Sequence, residues 1–114
     1  MIATKYSFAE RIKAELLIAS NLTELTKSLE GAERTGGKKL LVHYLNEIVR
    51  ETSLAQQITQ DMAFSESKPF LEAIKKAIEK EEFLAASQSI GHALSKITTI
   101  CQRTSSLLEK QNLI

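Results

Sequence analysis

Residues 83–110, FLAASQSIGHALSKITTICQRTSSLLEK, decide the fold of this chain. Apolar or small side chains recur there at every third or fourth position, namely Phe83, Ala86, Ile90, Ala93, Ile97, Cys101, Thr104 and Leu108. This spacing is the period of an α-helix that turns one side towards a core, so it predicts a helix over 83–110. Because such a helix must bury its apolar side against other elements, the rest of the chain should supply them.

The N-terminal part predicts a first helix over residues 8–33. It starts at Ser7-Phe8-Ala9-Glu10, which has the pattern of a capping box. Thr35-Gly36-Gly37 is expected to end it, because glycine adopts the left-handed conformation found after helices. The predicted core side consists of Phe8, Ile12, Leu16, Ile18, Ala19, Leu22, Leu25 and Leu29.

Two further helices are predicted between this turn and residue 83. The second spans residues 38–62, and its core side consists of Leu41, Tyr44, Leu45, Ile48, Ala55, Ile58 and Met62. The third is short and spans 69–80, with Ser67 as cap and Pro69 in the first turn, where its missing N–H does no harm. The fold class is therefore all-α: a single domain over 1–114, an antiparallel bundle of three long helices and one short one.

The composition excludes several classes of protein. Fifteen Lys and Arg residues against fourteen Asp and Glu give a net charge of +1, which disfavours a general nucleic-acid binder. The single cysteine, Cys101, can form neither an internal disulfide nor a multi-thiolate zinc site, and its place in the apolar pattern indicates a buried structural thiol. No leader or membrane-spanning stretch is recognisable, so we expect a cytoplasmic protein that does not contact membranes.

Arg34, Lys38 and Lys39 form a basic group around the predicted start of the second helix. Free amides and the helix dipole at such a position attract anions, so these residues are a candidate anion-binding site. The glycines nearby do not form a phosphate-binding loop, because Gly37 stands at the lysine position of that motif and no strand precedes it.

Three glutamates are predicted on apolar sides of helices, where a carboxylate needs a partner. They are Glu15 in the first helix and Glu47 and Glu51 in the second. Two explanations remain open: a neighbouring Lys or Arg, or a Mg²⁺ ion bound by carboxylates from adjacent helices. If the chain folds back at Gly36, Glu15 lies about 9 Å from the height of Glu51, so a common site requires a shifted register or a second subunit.

Residues 30–33 have the form ExxE, and residues 47–50 begin like ExxD, with Arg50 at the aspartate position. These two motifs resemble the ExxE and the ExxD that follows it in MazG-type nucleoside triphosphate pyrophosphohydrolases. The resemblance covers the first two helices. It implies an all-α fold, oligomerisation, bound Mg²⁺ and a nucleotide substrate.

The other side of helix 83–110 carries small uncharged residues, including Ser87, Gly91, Ser95 and Thr98. Helix 83–110 is the fourth predicted helix, α4, and we call these four residues the α4 stripe. A fully exposed helix usually carries Glu and Lys there, so the stripe is a candidate oligomer interface, with a two-fold dimer as the simplest assembly.

Three functions are consistent with these patterns. The first is a non-catalytic helical protein that acts through homo-oligomerisation or a protein partner. The alternative is a Mg²⁺-dependent pyrophosphohydrolase-like protein, active or degenerate, with a nucleotide as ligand. The third, which the near-neutral charge disfavours, is a subunit that binds nucleic acid through residues 34–39.

Overall fold

The computed structural model describes residues 1–111 and confirms the predicted all-α class. Its elements are α1 (Ile2–Ser28), α2 (Gly31–Thr59), a 3-10 helix (Met62–Ser67), α3 (Lys68–Glu79) and α4 (Phe83–Lys110). Residues 1–111 contain no strand. Within that range, no helix combines the length and the apolar character needed to cross a membrane.

The helices form an antiparallel bundle in which α1 packs on α2 and α4, while α3 packs on α2 and α4. The bundle is elongated, with extents of 53 × 22 × 18 Å. Its largest fully buried side chains are Phe64, Ile12, Leu16, Leu41, Leu45, Ile48, Leu71, Ile74, Ile78, Ile97, Ile100 and Leu108. The core is thus built from all four α-helices and the 3-10 helix.

The turn between α1 and α2 does not lie where the glycine pair predicted it. The chain reverses at Leu29 and Glu30, both extended, and Gly31 is the glycine with a left-handed backbone, at φ +57°. Gly36 and Gly37 lie inside α2. The prediction of a first helix over 8–33 is therefore wrong at its C-terminal end, because glycine permits a turn without requiring one.

The predicted start of the first helix and both ends of the second are also wrong. Ser7 and Glu10 lie inside α1, which begins at Ile2, so they do not form a capping box. α2 begins at Gly31 rather than 38, and it ends at Thr59 because Gln60 takes a left-handed conformation, at φ 56°. Nothing in the local pattern marked Gln60 as a stop, since non-glycine residues seldom adopt this conformation.

The predictions for the last two helices agree with the structure. α3 lies within one residue of the predicted 69–80, Pro69 occupies its first turn, and α4 has the predicted bounds. Ser67 precedes α3, but its hydroxyl donates to the Phe64 carbonyl 2.8 Å away instead of capping the helix. The α3–α4 turn contains Glu81 in a left-handed conformation, at φ 58°.

Candidate functional site

The early turn sets the register of α1 against α2 and brings the three glutamates together. Arg11 Nη1 of α1 donates to Glu51 Oε1 of α2 over 2.7 Å. The same register brings Glu15, one turn further along α1, near enough to Glu51 and Glu47 for both charges to act on it, that of Glu51 more strongly. The chain thus has the shifted register that a turn at Gly36 would not have given.

Glu15 lies between the two helices without a partner of its own. Its Oε1 atom is enclosed and, among the residues that the structure describes, has no hydrogen-bond partner. Burial raises the pKa of Glu15, the Glu51 and Glu47 carboxylates raise it further, and the Arg11 guanidinium opposes them. The pKa of Tyr44 is raised as well, by its own burial and then by the Glu15 charge. At Glu15, burial and two neighbouring carboxylates therefore outweigh the one nearby cation, Arg11.

Two of these three glutamates have arginine partners in the structure. Glu51 is held by Arg11, and Glu47 accepts a hydrogen bond from Arg50 Nη1 over 3.2 Å. Across residues 1–111, no group of three His, Cys, Asp or Glu side chains is arranged to hold a metal ion. A neighbouring arginine was one of the two explanations for carboxylates on the apolar sides of helices. It explains the positions of Glu47 and Glu51 but not that of Glu15. Mg²⁺ binding to this trio stays a prediction.

The basic residues predicted to bind an anion are placed differently from expectation. Since α2 begins at Gly31, Arg34, Lys38 and Lys39 lie inside the helix and do not surround its N-terminus. Glu81 accepts hydrogen bonds from Arg34 at 2.9 Å and from Lys38 at 3.3 Å, so a carboxylate already compensates two of the three charges.

Arg34 has a structural role at this end of the bundle. Its Nη2 donates to the Lys27 carbonyl at 2.7 Å, and its guanidinium lies 5.4 Å from the centre of the Phe83 ring. It therefore connects the end of α1, the start of α2 and the start of α4. The two ion pairs lower the pKa of Glu81.

Cys101 is buried, as its place in the apolar pattern predicted. Burial, and then the nearby Glu10 carboxylate, raise the pKa of its thiol to about 11. Because the thiolate is the reactive form of cysteine, this side chain is unsuited to nucleophilic chemistry near neutral pH.

The α4 stripe lies on the outer side of α4. Gly91 and Ser95 are exposed, while Ser87 and Thr98 are half-buried. A Cβ atom added to Gly91 would meet no atom of the described chain within 4 Å. The α4 stripe therefore has room for the partner that the sequence predicted. Its use as an interface stays a prediction.

A second exposed surface lies outside the predicted interface residues. It lies along the outer side of α1 and α2 and carries large apolar side chains that are 43–76% exposed: Ile18, Leu25, Leu40, Leu54 and Ile58. We call this surface the α1–α2 face. It consists of these five residues, of Leu22 and Leu29, and of the charged residues that lie between them, Arg11, Glu15, Glu47 and Glu51. Placing Ile18, Leu25 and Ile58 in the core was wrong, because α1 and α2 each present two adjacent apolar stripes and only one of them faces inward. Met62, also predicted in the core, is exposed at the start of the 3-10 helix.

A signal for this face was present in the sequence. In α2, residues 40, 44, 47, 51, 54 and 58 repeat with alternating steps of four and three, one flank away from the buried series 41, 45, 48, 52, 55 and 59. A helix with an apolar stripe wider than its core contact exposes the remainder. Counting both series would have identified Leu40 and the face.

The α1–α2 face contains an apolar groove near the turn between the two helices. The groove has a volume of about 200 Å³ and is lined by Leu22, Leu25, Thr26, Leu29, Gly37, Leu40 and Leu41. Gly37 allows the close approach there: a Cβ atom on it would lie 3.2 Å from Leu29 Cδ1. The exposed Leu40 forms part of the wall of this groove.

Comparisons with models of protein families, with curated proteins and with solved structures found no match to this chain. The resemblance to MazG-type pyrophosphohydrolases therefore stays a prediction. The α1–α2 face and its unpaired glutamate are the features of the molecule from which a function can be inferred.

Proposed function

We propose that this protein acts through self-association and that the α1–α2 face is the contact between two copies. The observation that carries the proposal is the exposure of Ile18, Leu25, Leu40, Leu54 and Ile58 on one side of the bundle. Complete burial of one such side chain is worth about 1.5–3 kcal/mol, and contiguous apolar patches on a soluble domain mark interaction sites.

The shape of the face favours a second copy as the partner. Leu40 projects with 76% of its surface exposed, directly beside the leucine-lined groove of about 200 Å³. An engineered cavity of about 150 Å³ holds a benzene molecule, so the groove has room for an apolar side chain. A surface that carries both a projection and a recess can bind itself across a two-fold axis.

The order of residues along the face favours an antiparallel pairing. Leu25 and Leu40 lie towards one end of the face, Leu54 and Ile58 towards the other, and the glutamates lie between them. When two copies pair in opposite directions, Leu54 and Ile58 of each cover the groove of the other. Both apolar ends are then buried at once.

Two matched variants test the proposal. Leu40 and Leu84 are almost equally exposed, at 76% and 73%, but Leu84 lies on α4, seven residues before Gly91. We expect the wild type to sediment as a dimer at micromolar concentration. Leu40→Lys should weaken the dimer by about 30-fold or more, the effect of losing an interface hot spot, while Leu84→Lys should leave it unchanged.

Analytical ultracentrifugation over a concentration series measures both effects, and circular dichroism checks that the variants fold. A wild type that remains a monomer at several hundred micromolar would overturn the proposal. Dissociation by Leu84→Lys but not by Leu40→Lys would move the interface to the α4 stripe.

The pyrophosphohydrolase alternative is favoured by one observation, the register that brings Glu15, Glu47 and Glu51 into one charged group. Ion binding would require Glu47 and Glu51 to leave their arginine partners. Pyrophosphate release from canonical and modified nucleoside triphosphates, with Mg²⁺ or Mn²⁺, tests it directly. Activity that Glu51→Gln abolishes in a folded protein would establish this function; inactivity, with no rise in Tm on adding metal, would remove it.

A further inference from the structure

The centre of the α1–α2 face carries more negative than positive charge. Three carboxylates lie there together with two guanidinium groups. Arg11 donates to Glu51 over 2.7 Å, and the exposed Arg50 donates to Glu47 over 3.2 Å. Glu15 is left over, with an enclosed oxygen that has no hydrogen-bond partner in the described part of the chain. When all three glutamates are ionised, the centre of each copy therefore has one negative charge in excess.

The antiparallel pairing brings the acidic centres of the two copies together. A two-fold axis that exchanges the two apolar ends of the face passes through its middle, so the middle of one copy faces the middle of the other. The glutamates lie in that middle, with Leu25 and Leu40 towards one end and Leu54 and Ile58 towards the other. Exclusion of water from the contact strengthens the repulsion between the two excess charges. The burial of leucines favours the dimer, and the charge at its centre opposes it.

One proton per copy removes this repulsion, and Glu15 is the carboxylate best suited to bind it. The charges of Glu47 and Glu51 are each compensated by an arginine. Glu15 has no such partner, and a neutral carboxyl costs much less to enclose than a carboxylate does. Burial raises the pKa of Glu15, the two neighbouring carboxylates raise it further, and Arg11 opposes them. With Glu15 protonated, the charges that remain in the centre balance each other.

We propose that dimerisation through the α1–α2 face is coupled to the protonation of Glu15, so that two copies bind each other more tightly at acidic pH. The coupling rests on the self-association proposed above. It needs no contact between Glu15 and the second copy, because a charge acts over a distance through the protein interior. Since the dimer binds the proton more tightly than the monomer does, the Kd falls as the pH falls. It levels off at the pH where Glu15 is already protonated in the monomer.

A second group near the α1–α2 face also changes charge between pH 8 and pH 5. The ionisable groups that face Glu15 lie on α1 and α2, namely Arg11, Tyr44, Glu47 and Glu51. Tyr44 stays neutral in this range, because its pKa is raised from the ordinary value of 10.0. His43 is exposed one turn before Glu47, and histidine side chains change charge in this range. A positive charge on His43 would also favour the dimer, so separate variants must distinguish the two residues.

Sedimentation over a concentration series at pH 8 and at pH 5 tests the coupling. The wild-type Kd should be at least about tenfold lower at pH 5, because like charges placed across an interface strongly disfavour association. Glu15→Gln is uncharged at both pH values, so its Kd should be low and nearly the same at both. His43→Gln is the matched control, and its Kd should keep most of the pH dependence of the wild type.

The possible outcomes separate the coupling from the self-association on which it rests. A wild-type dimer whose Kd is equal or higher at pH 5 would overturn the coupling and leave the proposed function intact. A pH dependence that survives Glu15→Gln would overturn it as well, and its loss in His43→Gln would then assign the effect to the histidine. A wild type that stays monomeric at several hundred micromolar at both pH values would instead remove the proposed function itself.

A direct measurement of bound protons covers the case in which Glu15→Gln does not fold. Dilution calorimetry of the His43→Gln dimer, in two buffers that differ in ionisation enthalpy, gives the number of protons released when the dimer dissociates. We expect a release between pH 8 and pH 5 of at most about two protons per dimer, because each copy contributes one Glu15. No release at any pH in this range would overturn the coupling.

Discussion

The α1–α2 face and the α4 stripe are both exposed, but they differ in the side chains that they offer to a partner. The α4 stripe consists of Ser87, Gly91, Ser95 and Thr98, whereas the α1–α2 face exposes leucine and isoleucine. Small side chains bury little area, so they support association only where another backbone approaches closely. Large apolar side chains gain free energy wherever water is excluded. The sequence pattern drew attention to the stripe because it lacks charge, yet the face, which includes charges, has more to gain from burial.

The difference shows that the absence of charge and the presence of exposed apolar area are separate signals. Polar uncharged residues such as serine and threonine are common on ordinary surfaces and need no partner. Leu40 at 76% exposure, beside a groove of about 200 Å³, is harder to reconcile with an isolated bundle. Three further pairs of variants can contradict or refine this comparison.

The largest effects on stability are expected when a glycine is replaced by leucine, at Gly37 on the α1–α2 face and at Gly91 on the α4 stripe. Gly37→Leu should lower the free energy of unfolding by about 1–2 kcal/mol, because its Cβ would lie 3.2 Å from Leu29 Cδ1 and the rest of the side chain would overpack the groove. Gly91→Leu should raise it by up to about 1 kcal/mol, since the position is open and leucine favours helix. Urea unfolding measures both values; destabilisation by Gly91→Leu would indicate that α4 is more closely packed than the structure shows.

Removing the charge of a carboxylate on α1 should change the free energy of unfolding by a smaller amount. The change should have opposite signs at Glu15 and at Glu10. Glu15→Gln should raise the free energy of unfolding at pH 7.5 by less than about 1 kcal/mol, because it removes an enclosed charge without a partner. Glu10→Gln should slightly lower it, because Glu10 is paired with Lys13 over 3.5 Å.

The gain from Glu15→Gln should also depend on pH. Because the folded pKa of Glu15 is raised, the folded chain binds a proton more readily than the unfolded chain, and the ionised carboxylate costs stability above that pKa. The cost disappears as the pH falls below the ordinary value of 4.5, so wild type and Glu15→Gln should then unfold at similar urea concentrations. A difference that stays constant from pH 8 to pH 4 would contradict the assignment of the effect to charge.

The smallest effect is expected from Ser95→Glu on the α4 stripe. Ser95 is exposed, and a surface substitution of this type usually changes stability by less than about 0.5 kcal/mol. Its dimer Kd should equal that of the wild type, whereas Ile18→Glu on the α1–α2 face should weaken the dimer. Sedimentation of the two variants compares them, and dissociation by Ser95→Glu would restore the α4 stripe as the interface.

Most of the fold could be predicted because long segments keep one helical period. The bounds of α4 and those of α3 to within one residue followed from the spacing of apolar residues and from Pro69. The turn between α1 and α2 could not be found in the same way. Gly36 and Gly37 looked like a helix end, but the chain turns at Leu29–Glu30, where Gly31 supplies the left-handed conformation.

The candidate site was predictable in its residues but not in its contacts. The helical projection placed Glu15, Glu47 and Glu51 on apolar flanks, and the structure brings them together. Which arginine satisfies which glutamate depends on the register of α1 against α2, and a turn displaced by a few residues changes every pair. The basic residues illustrate the same limit, since Arg34 and Lys38 bind Glu81, more than forty positions away.

Residue spacing along the chain was enough to predict that it forms helices, how many there are and which residues can face a core. These properties depend on interactions within a few turns of one helix, which residue spacing records directly. The tertiary structure alone decided which of two adjacent apolar stripes on α1 and α2 is buried and which glutamate lacks a partner. The physical reason is that a stripe is buried only where another helix covers it, and the bundle offers α1 and α2 too few neighbours to cover both.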